Sequence, residues 1–310
     1  MPLWGFLLSF VAAALWAASP IMVDKGLAVA KCSSSAINPV RAVAFLVASL
    51  VFALCSSGGS IPLLLSPAAW LYIFIGVFIS YSLGDIFYFI AIRTVGVTIA
   101  VPIANAYPIL VALSSWLILG EPLTLKLLWG ILIVITGLLM LRFGGRKKES
   151  AEDVAAVLRN KKRFLKGFAF SMAAGLMWAL SSPLTKKAIL ITGYDAANIT
   201  LYRAVAFFIV AFTIHWLTLK YRPEKAVKLR SLSAAAVGWF AGSAVLGLCI
   251  GSILYATCIT VMPVAVVTAI TATSPLIAAL FGHFVLKEEL YRLQWAGIAL
   301  IITGSVVVGL

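Results

Sequence analysis

One carboxylate lies in the middle of a long apolar stretch, with a phenol on each side of it. Asp85 follows Tyr81 and precedes Tyr88 at spacings i, i+4 and i+7, so on a helix the three side chains share one stripe. Inside a membrane a carboxylate costs about 2.5–3.5 kcal/mol on insertion scales, so it has to face a bundle interior or a wet cavity. The stripe could therefore bind a cationic or amino group. The alternative is a structural ion pair of Asp85 with one of three basic residues, Lys25, Arg93 or Arg203.

The composition places that stripe in a membrane. Hydrophobic residues make up 63% of the 310 residues and charged residues only 11%, whereas soluble domains have about 25% charged residues. Runs of about 20 apolar residues with few charges are typical of membrane-spanning helices. The sequence therefore predicts an all-α integral membrane protein.

The net charge of +14 does not favour a nucleic-acid partner. The basic residues lie in short breaks between apolar runs, where they can face anionic lipid headgroups, and not along one amphipathic face. The four cysteines and two histidines lack the spacing of a metal site. We therefore predict no nucleic-acid partner, no metal and no cofactor.

The apolar runs predict ten helices in two groups of five. A basic segment over residues 144–165 joins the groups, and it either holds a short surface helix over residues 154–158 or is a disordered linker. In the first run, Ser19-Pro20 is expected to end regular helix, close to Asp24 and Lys25. The predicted helices cover residues 4–23, 38–56, 68–92, 98–119, 125–143, 166–185, 197–219, 232–259, 263–286 and 293–310.

The two groups of helices repeat each other in sequence. The pentapeptide Arg-Ala-Val-Ala-Phe occurs at residues 41–45 and again at residues 203–207. Matches continue in the same order, at an offset of 162 positions in the first helices and 167 positions further on. A periodicity of this length indicates a duplication. The aligned pairs include Trp16 with Trp178, Gly84 with Gly251, Tyr88 with Tyr255, Glu121 with Glu288, and Thr136-Gly137 with Thr303-Gly304.

The odd number of helices in each repeat fixes the expected orientation of the repeats. After five crossings the second copy begins on the opposite side of the membrane, so the copies at residues 1–143 and 166–310 are expected to be inverted. Inverted repeats are typical of secondary transporters, in which the solute site lies near the midplane where the repeats meet.

These features together resemble one known family. An arginine opens the second and seventh helices, a tryptophan lies in the first and sixth, and Thr-Gly occurs in the fifth and tenth. Leu-Gly-Glu closes the fourth helix at Glu121, and the ninth closes at Glu288 with Lys287 in place of the glycine. Over nearly the whole chain, the sequence resembles the EamA-type branch of the drug/metabolite transporter superfamily. The resemblance implies a solute pathway between the first, third and fourth helices and their counterparts, the sixth, eighth and ninth.

We therefore predict that polar and aromatic side chains of these six helices bind the solute. Pro108 and Pro275 free backbone carbonyls in the fourth and ninth helices, which a solute or local hydroxyl groups could satisfy. The tryptophans could wall a cavity or serve only in packing. Asp85 is also the candidate for proton coupling, because desolvation favours the protonated form of a carboxylate. The predicted solute-binding residues are Trp16, Ser19, Tyr81, Asp85, Tyr88, Asn105, Tyr107, Trp178, Ser181, Ser252, Tyr255, Thr268 and Thr271.

Four charged residues are predicted to be structural. Arg41 and Arg203 begin helices within reach of the membrane interface, and an anion site is the alternative for this pair. Glu121 and Glu288 end their helices and are expected to anchor the loops that follow.

The sequence favours a secondary transporter that exports or exchanges a small polar or amphipathic metabolite, such as an amino acid, and not an enzyme. It has no glycine-rich loop of the Walker type, so ATP is not the direct energy source. The alternatives are an intramembrane lipid-modifying enzyme and a non-transporting receptor or assembly subunit. The expected partners are a small-molecule solute and the lipid bilayer, and two copies could associate as a homodimer. The distribution of Lys and Arg among the loops predicts a multi-pass plasma-membrane protein with a cytoplasmic central linker.

Overall fold

The computed structural model describes residues 2–30, 37–63, 66–144, 160–221, 229–287 and 289–309. Within these ranges the chain is helical almost throughout and forms no strand. Two predictions lie outside the described residues, namely the short surface helix over residues 154–158 and the role of Glu288.

The helices follow the predicted order, and two of them are divided into two segments. Among the described residues, nine helical spans are long and apolar enough to cross a membrane. A further helix, the fourth, consists of two shorter segments. The helices are α1 (Leu3–Ala30), α2 (Ile37–Ser56), α3 (Pro67–Val95), α4a (Val97–Ala104), α4b (Tyr107–Leu119), α5 (Leu125–Phe143), α6 (Lys161–Thr192), α7 (Ala196–Tyr221), α8 (Ala234–Val261), α9a (Val264–Thr271), α9b (Ser274–Leu286) and α10 (Arg292–Gly309).

The first helix does not end at Ser19-Pro20, so that prediction was wrong. α1 continues through Pro20 to Ala30 and includes the polar residue Lys25. A proline inside a membrane helix is tolerated because neighbouring groups satisfy the backbone carbonyl that it leaves without a donor. Lys25 is accommodated because its Nζ lies over the Trp239 ring, 5.1 Å from the centroid, where the aromatic face attracts a cation.

The two repeats are interrupted at equivalent positions. α3 contains a π-helical turn at Ile79–Gly84, and α8 contains one at Ala244–Gly251, so both turns end at glycines that the repeat aligns. α4a and α4b become α9a and α9b when each bound is shifted by the repeat offset. Prolines cause both breaks, because Pro108 and Pro275 near the start of the second segments cannot donate a backbone hydrogen bond. The duplication therefore extends to the irregular backbone.

Backbone contacts divide the chain into two compact units, and each contains parts of both repeats. One unit comprises residues 1–6, 79–184 and 261–310, and the other comprises residues 7–78 and 185–260.

Within the first unit, the equivalent helices α5 and α10 pack closely against each other at glycines. A Cβ atom added to Gly137 would lie 2.6 Å from the carbonyl oxygen of Gly297, and one added to Gly304 would lie 2.9 Å from that of Gly130. Gly130 aligns with Gly297 and Gly137 with Gly304, so the two contacts exchange under the repeat. Because the order of contacts runs in opposite directions along the two helices, α5 and α10 are antiparallel. This is the arrangement expected of inverted copies, and small residues permit the close approach.

Within the second unit, the repeated pentapeptide meets its own copy. Phe45 of α2 and Phe207 of α7 are both almost fully buried, and their ring centroids are 6.3 Å apart. These are equivalent positions of the two repeats, so the duplicated sequence packs against itself in the core of this unit.

Candidate functional site

Asp85 is the first residue after the π-helical turn of α3, and Trp178 of α6 contacts it directly. The indole Nε1–H of Trp178 donates a hydrogen bond to Asp85 Oδ1 over 3.3 Å. Gly84 makes this contact sterically feasible, because a Cβ atom at that position would lie only 2.8 Å from Nε1. The edge of the indole therefore rests on the backbone of α3 beside the carboxylate.

Two phenol rings surround the same indole. The Tyr88 ring centroid lies 5.1 Å from that of Trp178 at an interplanar angle of 58°, and Tyr107 approaches edge-on at 6.4 Å. Such tilted and edge-to-face arrangements are the favourable geometries of aromatic pairs. We call Asp85, Tyr88, Tyr107 and Trp178 the Asp85 cluster. All four side chains are partly buried and each keeps some accessible surface.

The break between α4a and α4b and the packing of α6 position this cluster. Tyr107 is the first residue of α4b, so the break at Asn105 and Ala106 directs its ring toward α6. One turn before Trp178, a Cβ atom at Gly175 would lie 3.0 Å from the Ala104 carbonyl oxygen. One residue beyond the tryptophan, Ser114 Oγ donates to the Ala179 carbonyl over 3.1 Å. Contacts with α4 thus hold α6 on both sides of Trp178.

The position of Asp85 on α3 separates it from the lipid-facing surface. Ile86 and Phe89 are 50% and 56% exposed and mark the outer face of the helix, which Arg93 shares. Asp85 lies between that face and the buried side. Arg93 lies eight residues further on, about 12 Å along the helix axis at the usual rise, so the geometry does not favour an ion pair of Asp85 with Arg93.

A cation of another helix also acts on the cluster. The guanidinium of Arg142, in the last turn of α5, is near enough to the Tyr88 phenol to interact with it electrostatically. Tyr88 therefore has a carboxylate and a guanidinium in its surroundings.

The equivalent positions of the other repeat form a second group, which we call the Trp16 cluster: Trp16, Ser252 and Tyr255. The Trp16 ring lies 5.2 Å from the Tyr255 ring. As in the Asp85 cluster, a Cβ atom at the preceding glycine, Gly251, would lie 2.8 Å from the indole Nε1. Here, however, the indole N–H donates to the backbone carbonyl of Gly247 over 3.0 Å. Ser252 is 2% exposed and Tyr255 4% exposed, so these two side chains are packed closed, whereas Trp16 itself is partly buried.

The other predicted solute ligands lie in varied surroundings. Ser19 donates to the Ser243 carbonyl over 3.0 Å, and Ser181 is buried in α6. Thr268 and Thr271 are both 1% exposed in α9a, and Thr271 Oγ1 donates to the Thr268 carbonyl over 3.2 Å. The partly buried residues are Tyr81 in the π-helical turn and Asn105 at the break of α4.

The residues predicted to be structural include one whose partner is well defined. Glu121 Oε2 accepts a hydrogen bond from the backbone N–H of Val264, at the start of α9a, over 2.8 Å. A carboxylate at a helix N-terminus satisfies an otherwise unbonded amide and interacts favourably with the helix dipole. Arg203 is buried within α7, whereas Arg41 is partly buried in α2. The structural role of both arginines stays a prediction.

The sequence did not reveal which tryptophan would contact which helix. The pairing of Trp178 with Gly84 and of Trp16 with Gly251 depends on contacts between distant parts of the chain, and only the alignment of the two glycines hinted at it. Across the described parts of the chain, His, Cys, Asp and Glu side chains form no group of three that could hold a metal ion.

The fold and the site define a multi-pass membrane protein with two five-helix repeats, in which an indole packed against two phenol rings donates a hydrogen bond to a carboxylate. The model of the EamA-like transporter family matches residues 3–143 and 165–310. The chain therefore belongs to the EamA-like transporter family.

Two individual proteins are similar over almost the whole chain. An uncharacterized transporter from Archaeoglobus fulgidus is 27% identical over 298 residues, which cover 96% of this chain and 94% of that protein. A protein of known crystal structure has a TM-score of 0.72 at 18% identity, covering 98% of this chain and 94% of the other. The latter similarity shows that the fold is shared.

Proposed function

We propose that this protein is a secondary transporter that exports or exchanges a small polar or amphipathic metabolite, such as an amino acid, and that the Asp85 cluster is part of its solute site. The observation that carries the proposal is the carboxylate itself. A partly accessible carboxylate inside a membrane-spanning helix is costly, and such residues usually mark solute or ion pathways.

Alternating access is the proposed mechanism. Its support is the duplicated irregular backbone, because both repeats have a π-helical turn and a broken helix at equivalent positions. Each copy can thus adopt the conformation of the other, and a solute site would open to one side of the membrane and then to the other. We further propose that Asp85 exchanges its solute for a proton in one of these states, and that the central linker is cytoplasmic.

An intramembrane enzyme is less well supported. It would need an acid–base or metal cluster around Asp85. The imidazole of His283 instead packs edge-on against Phe284 and Trp295, with ring centroids 5.0 and 5.4 Å away.

Counterflow in proteoliposomes tests the transport proposal without assuming a coupling ion. Purified protein is reconstituted into vesicles that are loaded with unlabelled amino acids and amines, and entry of each labelled solute is followed against protein-free vesicles. We expect labelled solute to accumulate for at least one member of the panel, and the Asp85→Asn variant to lose that accumulation. The absence of counterflow for every solute, with protein that elutes as a single folded species, would overturn the proposal.

A further inference from the structure

Arg203 of α7 is a cation buried in the unit of residues 7–78 and 185–260. α7 begins at Ala196, so Arg203 lies about 10 Å along the helix axis from the first residue at the usual rise. Every residue from Ala196 to Ala204 is buried, so protein surrounds this part of the helix on all sides. Arg203 itself is only 9% exposed, and its charge is therefore held inside the protein.

This buried charge lacks a partner. Among the described residues, the Nε–H of Arg203 has no hydrogen-bond acceptor, and no carboxylate forms an ion pair with the side chain. The nearest acid in the sequence is Asp195, whose Oδ1 instead accepts from the backbone N–H and from Nδ2 of Asn198, each over 2.8 Å. Buried charges are costly and are usually paired. We infer that Arg203 binds a small monovalent inorganic anion, of the size and charge of chloride.

A threonine hydroxyl one turn earlier also lacks a partner. Thr200 is 0% exposed, and its Oγ1 forms no hydrogen bond with any described residue. Threonines inside helices can donate to the carbonyl four residues earlier, and Thr94, Thr218 and Thr257 do so over 2.7–2.9 Å. Residues at i and i+3 are neighbours on a helix surface, with Cβ atoms about 5–6 Å apart. Thr200 and Arg203 can therefore donate to the same ligand.

α2 runs antiparallel to α7 across this region. Phe45 contacts Phe207, and further along, Asn198 Nδ2 donates to Ser57 Oγ over 2.8 Å. Higher residue numbers on one helix thus meet lower residue numbers on the other. The residue one turn after Phe45 therefore faces the residue one turn before Phe207, which is Arg203.

Small side chains of α2 leave room for an ion at this place. Ser49 and Ala53 lie one and two turns after the contacting phenylalanine of α2, and both are 0% exposed. Ser49 Oγ donates to Cys249 Sγ over 3.5 Å, and because sulfur is a weak acceptor, this hydroxyl can turn to a stronger one. We call Arg203, Thr200 and Ser49 the Arg203 site.

The chemistry of the Arg203 site selects a monovalent anion. The site has one full positive charge and two hydroxyl groups that can donate, so a single negative charge neutralises it. A divalent anion such as sulfate would leave an excess buried charge. A halide ion accepts several hydrogen bonds and needs no acceptor in return. Because the site is almost fully buried, a large organic anion such as gluconate does not fit.

The equivalent position of the first repeat lacks these donors. Arg41 aligns with Arg203, but Asn38 aligns with Thr200 and Ala211 with Ser49. Arg41 is also only partly buried. Of the two positions at which the sequence left an anion site open, the anion is therefore expected at only one.

Replacing gluconate by chloride tests the inference on the purified full-length protein. Halide is removed by dialysis into sodium gluconate, and sodium chloride then replaces gluconate at constant ionic strength while the melting temperature is recorded. A ligand that binds only the folded state raises the melting temperature. We expect a rise of about 2 °C or more at about 0.1 M chloride, a similar rise with bromide, and none with sulfate. Equilibrium dialysis with radioactive chloride measures the binding directly.

The variants separate anion binding from a purely structural role. Arg203→Gln should abolish both the chloride-dependent rise and the binding of radioactive chloride. Thr200→Val removes a hydroxyl that has no partner, so it should not lower the melting temperature in gluconate, yet it should weaken chloride binding by about three- to tenfold. Arg41→Gln is the matched control and should leave the chloride dependence unchanged. If Arg203→Gln does not fold, Thr200→Val and chloride binding to the unaltered protein decide.

Four outcomes would overturn the inference. They are a melting temperature and dialysis that show no chloride binding, an equal effect of sulfate, full chloride affinity in Thr200→Val or Arg203→Gln, and an equal loss of affinity in Arg41→Gln. The inference does not rest on the proposed function, because the Asp85 cluster shares no residue with the Arg203 site. Chloride binding without counterflow of any solute would contradict only the transporter proposal.

Discussion

Trp178 and Trp16 occupy equivalent positions in the two repeats, and each lays the Nε1 edge of its indole against a glycine at the end of a π-helical turn. Their hydrogen bonds differ. Trp178 donates to the carboxylate of Asp85, whereas Trp16 donates to the backbone carbonyl of Gly247. The Asp85 cluster is partly accessible, and the Ser252 and Tyr255 side chains of the Trp16 cluster are almost fully buried.

The duplication therefore preserved the backbone of the two sites but not the charge of the side chain that follows each glycine. Both repeats have the same turn, glycine, indole and phenol. In one repeat these features accompany the partly accessible carboxylate of Asp85, and in the other they accompany the buried hydroxyl of Ser252. A single difference, Asp85 against Ser252, carries the change in charge. We therefore propose that the Asp85 cluster binds solute and that the Trp16 cluster serves mainly in packing, and the following substitutions test this difference.

Exchanging the residues at the two positions should produce the largest effects. Ser252→Asp places a carboxylate at a position that is 2% exposed, so we expect it to lower the free energy of unfolding by about 2.5–3.5 kcal/mol. Asp85→Ser removes a charge from the membrane and should leave the free energy of unfolding unchanged or raise it, while it abolishes counterflow of the transported solute. Unfolding in mixed detergent micelles measures the first effect. Equal stability of the two variants would contradict the assigned difference in burial.

Adding one methyl group at the two glycines should give smaller effects. Gly84→Ala and Gly251→Ala each place a Cβ atom 2.8 Å from an indole nitrogen. Trp178 donates to a partly exposed side chain that can move with it, so Gly84→Ala should weaken the hydrogen bond to Asp85 and lower the affinity for the transported solute severalfold. Trp16 donates to a backbone carbonyl and packs against Tyr255, which is 4% exposed, so Gly251→Ala should instead lower the free energy of unfolding by about 1–3 kcal/mol, the usual cost of overpacking.

Binding isotherms and unfolding curves for both glycine variants check this prediction together. A larger loss of stability in Gly84→Ala than in Gly251→Ala would contradict it, because it would show that Trp178 is packed more tightly than Trp16.

The sequence predicted the components of the site better than their assembly. Helical periodicity identified the stripe of Asp85 and Tyr88, and the apolar run that became α5 was predicted with its observed bounds. Pro108 and Pro275 correctly indicated the interruptions of the fourth and ninth helices, whereas α4a continues through Pro102, where an interruption was also expected. Pro20 did not break α1, because whether a proline breaks a membrane helix depends on neighbouring groups that a single segment does not reveal.

Two features of the site left little trace in the sequence. A π-helical turn has no composition of its own, so the turns before Asp85 and Ser252 were not predicted. The contact of Trp178 with Asp85 joins residues 93 positions apart in the chain, and periodicity within one helix does not say which helix lies opposite. Repetition of the tryptophan and the glycine at equivalent places was the available signal.

Thiol modification at the two equivalent tyrosines tests whether the Asp85 cluster is accessible to solute while the Trp16 cluster is not. The four native cysteines are replaced by alanine, and Tyr88→Cys or Tyr255→Cys then supplies a single thiol, with Asp85 and Trp178 intact in both proteins. The rate of reaction with a water-soluble methanethiosulfonate reagent is measured with and without L-leucine or phenethylamine. We expect the thiol at position 88 to react about tenfold or more faster than the one at position 255, and L-leucine or phenethylamine to slow its reaction. Similar rates at the two positions, or a rate at position 88 that neither compound changes, would overturn the assignment of the solute site to the Asp85 cluster.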